Sequence, residues 1–469
     1  MILERVFDSL LAQAGYLVGC EITRTAIVID PNRDVDRYVE VAARERLTIT
    51  HVTETHIHAD FVSGARELAR RAGAQLLLSG AGGPDWQYAF AEASAARLLR
   101  AGDTIEVGSV RIAVRETPGH TPEHLCFVVT DPTVNDRPIG IATGDFIFVG
   151  DVGRPDLLER AAKVSGSMES MARTLFRSLR ATRVLPDYLQ LWPGHGAGSA
   201  CGKALGAMPT TTLGYERIAN WAFQIEDESE FVKEVLAGQP EPPTYFARMK
   251  VVNRDDPPTV PAPHELAQLD LTALERAVAA GAAVIDVRTS ADFAVGHIPG
   301  TLNIPMGTSF ARWAGTLLSY DQDIVLLADD LARIDECRHA LMLIGMDRVV
   351  ARGGSELRAA YRRTNGALQT VPRVDMRELS STGREVVDVR GAAEWSAGHV
   401  PRAEHHYLGD LLTSMREVPR DTPLVLYCHG GTRAAIGASL LQAEGFTDVA
   451  TAPGGMGTWE AAGLPTEAG

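Results

Sequence analysis

Short apolar runs alternate with amphipathic stretches through the first 250 residues or so. Ala26 to Ile29 and Val110 to Val114 are β-rich runs bounded by polar segments, and they predict strands. Val62 to Ala72 reads as a helix closed by Gly73, a residue that ends helices at the C′ position. LTITHV predicts another strand running through Val52, and Ile139 to Ala142 is a further apolar run. Such alternation implies an α/β architecture. It breaks at residues 252 to 263, VNRDDPPTVPAP, where four prolines and three charges interrupt any period and mark a solvated linker.

Beyond the linker the pattern repeats. VIDVRTSADFAVGHIP, from Val284, returns as VVDVRGAAEWSAGHVP, from Val386, with an offset of 102 between Asp286 and Asp388 and between His297 and His399. IVLLADDLAR from Ile324 faces LVLYCHGGTR from Leu424, and RGG ending at Gly354 faces PGG ending at Gly455. Each copy places a buried strand before a polar loop, then a second apolar strand before a loop and a helix. That is the order of an open parallel sheet. The expected domains are residues 1–251, a linker over 252–265, one repeat over 266–365 and a second over 370–469.

At 469 residues the chain is long enough for several domains, and 45% hydrophobic with 22% charged residues is the usage of soluble globular proteins. Its 45 Lys and Arg against 60 Asp and Glu leave a net charge of −15, the wrong sign for a nucleic-acid or anionic-membrane partner. No predominantly apolar run approaches the roughly 18 residues of a spanning helix, so a soluble cytoplasmic protein is expected. The five cysteines are widely spaced and form no CxxC, which disfavours disulfides and a structural zinc site. A functional cysteine here would act as a free thiol.

The strand ending at Val52 delivers His56, His58 and Asp60 on alternate positions, which project to one side, as a metal site requires. His120 in TPGHTPEH and Asp145 in ATGDF follow in order. These motifs resemble the metallo-β-lactamase superfamily over roughly residues 1 to 250, and within it the persulfide (sulfur) dioxygenases more than the hydrolases. The resemblance implies an αββα sandwich and one Fe(II) held by His56, His120 and Asp145, with positions left open for O2 and a substrate sulfur. Hydrolases such as glyoxalase II carry a His directly after the Asp of HxHxDH; here Phe61 has no lone pair to donate, so a complete second metal site is not expected. Zinc stays open as the alternative, because two His and a carboxylate also serve zinc hydrolases.

His58, Asp60 and His195 match superfamily metal positions that a mononuclear site leaves unused, and are expected to orient ligands or substrate by hydrogen bonds. For His124, structural and functional roles stay open. Arg154, in GDVGRPDL, resembles a segment lining the thiol pocket of the family. Cys201 and Lys203 share a Gly-rich loop, where a lysine beside a thiol would lower its pKa; Cys201 is expected near the metal, contacting or carrying the substrate sulfur.

Cys428 follows the strand Leu424 to Leu426 and opens the loop His429, Gly430, Gly431, Thr432 and Arg433. A cysteine there sits under backbone N–H groups and a helix N-terminus, both of which stabilise a thiolate. With DVR, GHVP and PGG around it, the segment resembles the sulfurtransferase form of the rhodanese family, whose loop is shorter than that of the phosphatase relatives. Aligning the repeats puts Ala328 at the nucleophile position, with Asp329 and Asp330 replacing His429 and Gly430 while Arg333 matches Arg433. Residues 266–365 therefore resemble a rhodanese fold without the chemistry, and Cys337 reads as core.

Together the resemblances imply two rhodanese-like α/β domains after the sandwich, and an enzyme oxidising thiol persulfides with O2 to sulfite while a rhodanese converts sulfite and persulfide to thiosulfate in sulfide detoxification. The expected partners are a small thiol persulfide, O2 and sulfite, with homo-oligomerisation left open. The alternatives are a zinc glyoxalase II-like thioester hydrolase with an attached rhodanese, and a non-catalytic persulfide sensor or carrier.

Overall fold

Two six-stranded mixed sheets form the N-terminal part of the computed structural model, which describes residues 1–162, 166–203, 205–262 and 264–468. The first sheet runs Ile2–Asp8, Gln13–Cys20, Thr25–Ile29, Thr48–Thr53, Gln75–Ser79, Arg97–Leu99, antiparallel for its first three strands and parallel thereafter. The second runs Thr211–Thr212, Gln190–Pro193, Gly140–Gly144, Leu125–Thr130, Val110–Glu116, Thr104–Val107, with one parallel pairing, between Gly140–Gly144 and Gln190–Pro193.

The period of two along each strand builds the layers. Ile27 and Ile29 face the inter-sheet core with Tyr16, Phe127 and Trp192, while Val28 faces outward under the helices Val35–Arg44 and Ala65–Ala72. On the other sheet Leu125, Phe127 and Val129 point inward, and Cys126 and Val128 point outward beneath Met168–Ala181 and Glu228–Leu236. Helices therefore cover both outer faces, giving the expected αββα sandwich.

The helix predicted over Val62 to Ala72 ends where expected, with Gly73 at φ 63° closing it, but begins only at Ala65. The preceding residues are held by tertiary bonds: Asn253 Nδ2 donates to the Phe61 carbonyl at 2.7 Å, and its Oδ1 accepts from the Ser63 N–H at 2.9 Å. Asn253 lies on the helix Phe246–Asp255, which runs into the segment read as linker.

Contacts divide the chain into one unit of Met1–Pro261 with Leu343–Gly345 and another of Ala262–Met342 with Met346–Gly469. The second unit holds two all-parallel sheets. One has the order Ala267–Gln268, Val349–Gly353, Ile324–Leu327, Ala283–Asp286, Leu302–Asn303. The other has the order Glu404–His405, Glu385–Asp388, Leu424–Tyr427, Val449–Thr451. The repeated motifs serve this shared architecture. In each copy the DVR aspartate bonds its own arginine, Asp286 to Arg288 and Asp388 to Arg390, and the GHI/GHV histidine stacks on an aromatic ring, His297 on Phe293 and His399 on Trp395. Among the described residues no helix is long and apolar enough to cross a membrane.

Candidate metal centre and sulfurtransferase loop

His56, His120 and Asp145 converge in the first unit, with one ligand atom from each lying within 4.8 Å of the others. All three are buried. The chain fixes which nitrogen each histidine presents. The Thr55 hydroxyl donates to Asp30 and accepts from His56 Nδ1 at 2.9 Å, leaving Nε2 with its lone pair. His120 Nδ1 donates to the Arg154 carbonyl at 3.0 Å, so its Nε2 faces Asp145 Oδ2 at 3.5 Å. Burial lowers both histidines below their ordinary pKa, keeping them neutral as ligands must be.

Asp145 shows that the site is built for a cation. Both of its carboxylate oxygens are buried with no nitrogen or oxygen donor bonded to them among the described residues, the Cys201 thiol being only a weak donor to the group, which is costly unless a positive ion satisfies them. Its backbone N–H donates to His124 Nε2 at 3.2 Å, and His124 Nδ1 donates to Thr117. His124 thus positions the loop carrying Asp145, with burial holding its pKa near 3. These residues fit a metal ion through two neutral imidazoles and a carboxylate.

His58 points elsewhere. Its Nε2 meets Asp30 at 3.1 Å; burial alone would lower its pKa, but the Asp30 charge and hydrogen bond outweigh burial and raise it to about 9. Phe61 lays its ring beside His58, with centroids 4.4 Å apart. Asp60, His195 and Cys201 form a second buried group of ligand atoms within 4.8 Å of one another. His195 Nδ1 donates to the Ala12 carbonyl at 3.1 Å, and its Nε2 faces Asp60 at 3.3 Å and Asp145 Oδ1 at 3.5 Å. Asp145 therefore stands between the two groups, and Cys201 adds a sulfur donor to the second.

The three substrate residues expected from sequence are distributed differently. Cys201 is buried beside the metal ligands, but the expected lowering of its pKa is reversed: burial, then the Asp145 and Asp60 carboxylates, push the thiol well up. Lys203 turns away to the end of the helix Glu228–Leu236, where Nζ bonds Glu234 Oε1 at 3.0 Å and the Glu234 and Ala237 carbonyls. Arg154 is fully buried and holds Asp156 through two nitrogens, with further bonds to the Ala200 and Pro240 carbonyls. Its guanidinium ties loops together, while its carbonyl orients His120. Sequence reasoning missed Asp30 and Glu123. Glu123 accepts the Ile57 N–H at 2.8 Å and so braces the strand end carrying His56 against the loop carrying His120. An acid closing the apolar strand IVID was the available signal for Asp30.

In the second unit, Cys428 lies buried at the end of Leu424–Tyr427, and the Gly431 N–H donates to its Sγ at 3.0 Å. Gly431 takes φ 106° at the start of the helix Thr432–Ala443. His429, Gly430 and Thr432 are exposed at the mouth of the loop. Arg433 turns back to Glu394. The Met456 N–H donates to the Cys428 carbonyl at 2.8 Å, and Gly455, at φ 51°, passes so close that a Cβ would collide with that same oxygen. In the other copy Ala328 occupies the nucleophile position, Asp329 pairs with Arg358, and Asp330 caps the helix Leu331–Leu343 through the Ala332 N–H at 3.0 Å. Cys337 is buried in that helix, and burial raises its thiol to about 12, as suits a core residue.

This combination of sandwich, metal-ligand set and cysteine loop defines a metallo-β-lactamase-fold enzyme fused to rhodanese-like domains. The metallo-beta-lactamase superfamily matches residues 10–195, and the rhodanese-like domain matches 270–356 and 374–462. The crystal structure of a metallo-beta-lactamase from Staphylococcus aureus subsp. aureus COL is 42% identical with a TM-score of 0.70, covering 75% of this chain and 99% of that one. The chain belongs to the metallo-β-lactamase superfamily. Hydroxyacylglutathione hydrolase of Rhodopseudomonas palustris is 28% identical over 274 residues, 58% of this chain and 94% of that protein. The mitochondrial persulfide dioxygenase ETHE1 of Bos taurus is 26% identical over 200 residues, 42% of this chain and 68% of that protein.

Proposed function

We propose that the chain is an iron-dependent persulfide dioxygenase coupled to a sulfurtransferase. The observation that carries this reading is the buried His56, His120 and Asp145 set, with both Asp145 oxygens unsatisfied, on one chain with the Cys428 loop. Fe(II) bound there would supply open positions for O2 and for a sulfur anion, and electrons for oxygen reduction. The protein's part is to keep two imidazoles neutral, fix their Nε2 atoms inward and exclude bulk water. One persulfide RSSH, one O2 and one water give RSH, sulfite and two protons.

Cys428 then handles sulfane sulfur. Its thiolate, held by the Gly431 N–H, attacks the outer sulfur of RSSH; the new S–S bond forms as the old one breaks, and the proton leaves with RSH. The sulfite lone pair attacks the outer sulfur of the Cys428 persulfide, releasing thiosulfate and restoring the thiolate. Carrying both sites on one chain raises the local concentration of the shared sulfite. The substrate partners are thus a small thiol persulfide, O2 and sulfite. Oxygen uptake by iron-loaded protein given a thiol persulfide, with thiosulfate as product, is the expected result; no uptake would refute the dioxygenase.

A second reading, a zinc thioester hydrolase with an attached rhodanese, draws on the Asp60, His195 and Cys201 group, which offers ligands for a second ion. Metal analysis of anaerobically purified protein separates the two. About one iron per chain favours the dioxygenase; about two zincs with thioesterase activity favours the hydrolase.

A further inference from the structure

Within the second unit the two repeats enclose a pocket of about 230 Å³ beside the Cys428 loop. One wall is the silent copy's helix Ser290–Val295, through Ser290, Ala291, Phe293 and Ala294. The active copy supplies another through Gly430, Gly431 and Thr432, with Ala435 further along the helix Thr432–Ala443. Val371 and Arg373, from the segment that joins the repeats, complete it. At roughly 30 Å³ for each water the space would take about eight, which is far beyond a packing gap.

Cys428, His429 and Arg433 do not line this pocket, and Arg433 is turned to Glu394 on the helix Ala392–Ala397. That helix and Ser290–Val295 begin 102 residues apart, the offset of the repeat. Equivalent helices of the two copies therefore attend the same loop: one holds its arginine, and the other faces its glycines across the pocket. The space is distinct from the reacting sulfur but joined to it by one residue. Gly431 lines the pocket, and its N–H donates to Cys428 Sγ at 3.0 Å.

The lining carries one arginine, three hydroxyls and no carboxylate, in a chain with 60 acidic residues against 45 basic. Thr451 is only 6% exposed, yet among the described residues its hydroxyl has no hydrogen-bond partner, so a buried polar group is left to the cavity. The helix starting at Thr432 adds the positive end of its dipole to the wall. Arg373 is exposed, and among the described residues its side chain makes no hydrogen bond and no ion pair. Donors and positive potential with no acid among them select an anion. Phe293, Ala294, Val371 and Ala435 give the rest of the space an apolar surface, which an inorganic ion would leave unfilled.

We propose that this pocket binds a small organic anion, an oxyanion head on a compact apolar body, which bridges the silent copy to the Cys428 loop and steadies Gly430 and Gly431. The silent copy thereby forms half of a binding site whose occupancy reaches the nucleophile through Gly431. The assignment does not depend on the metal chemistry proposed above.

The test compares benzenesulfonate with methyl phenyl sulfone, a neutral molecule of similar shape, by ligand-observed NMR on the full-length protein. The anion is expected to bind about 5-fold or more tightly than the sulfone. Arg373→Met should remove that preference without weakening the sulfone, and Ala291→Trp, which fills the pocket from the silent copy, should weaken both. Hydrogen exchange across residues 429–435 should slow about 3-fold or more with benzenesulfonate in the parent protein and stay unchanged in Ala291→Trp. Equal affinities for the two probes, full binding by Ala291→Trp, or exchange in the parent that ignores the ligand would overturn the assignment. Displacement of benzenesulfonate by an equal concentration of thiosulfate would show that the apolar body is not recognised, and would overturn the ligand class.

Discussion

Glu394 receives the guanidinium of Arg433, with Nη2 at 2.7 Å from Oε1, and so ties the helix that follows the DVR motif to the loop carrying Cys428. Among the described residues the silent copy shows no such tie: Arg333, at the matching position, meets Glu336 on its own helix, at 3.4 Å and in solvent. Arg433 is the cation at the foot of the active loop, and its charge is oriented by Glu394 before any anionic substrate arrives. Glu394→Gln should therefore lower thiosulfate formation by about 10-fold while costing only about 1 kcal/mol of stability, because the pair is partly exposed. Steady-state sulfurtransferase assays and denaturant unfolding give the two numbers.

Removing the nucleophile separates the two chemistries. Cys428→Ala is expected to abolish thiosulfate production while leaving oxygen uptake largely intact, so that sulfite accumulates in its place. Product analysis by ion chromatography after persulfide turnover decides this, and a parallel loss of oxygen uptake would contradict independent sites.

Putting a cysteine back into the silent copy should fail. In an Ala328→Cys, Cys428→Ala double variant, the new thiol would lie beside Asp329 and Asp330, with no glycine at the position equivalent to Gly431 to offer an equally open N–H. Sulfurtransferase activity should stay at least about 100-fold below the parent, since a thiolate next to carboxylates is disfavoured.

Metal affinity should depend on a hydroxyl that is not itself a ligand. Thr55 accepts the His56 Nδ1 proton while donating its own to Asp30. Thr55→Val removes the group that sets the histidine tautomer and should weaken metal binding by about 10- to 100-fold. Asp145→Asn should reduce metal content further still. Competition with a chelator, read as metal retained per chain, measures both.

Glu123 couples stability to pH. Burial raises its pKa to about 7, against 4.5 for the free side chain. Between those values the folded protein holds a proton that the unfolded chain has lost, so this contribution is full below pH 4.5 and disappears as pH rises through about 7. Glu123→Gln has no proton to lose, and its stability should change by about 3 kcal/mol less than the parent's across that window. Unfolding of the metal-free proteins at both ends of the window tests the difference.

The ligand set was legible because each member follows a strand end inside its own motif: His56 after LTITHV, His120 after a Pro-Gly turn, Asp145 after an apolar run. The tandem repeat was equally plain, since its motifs build structure common to both copies. Side-chain direction was not legible. Nothing in GDVGRPDL reveals that Arg154 folds onto Asp156, two residues on, and is consumed there. Likewise Lys203 stands two residues from Cys201 in sequence, yet its ammonium is used to close a helix. The end of the first unit escaped for the opposite reason: prolines suggested a linker from residue 252, whereas the helix Phe246–Asp255 runs on to Asp255 and packs Lys250 over Trp86.

Gly455 offers a way of judging relatives that does not depend on the cysteine. Its left-handed backbone lets the turn before the last helix press against the Cys428 carbonyl, whereas Gly354, its counterpart in the silent copy, has an extended backbone at φ −128° that any residue can adopt. The silent copy has thus lost the steric requirement along with the nucleophile. Across homologues, drift at the first glycine and not at the second would signal that sulfur transfer had been abandoned, even where the cysteine itself survived.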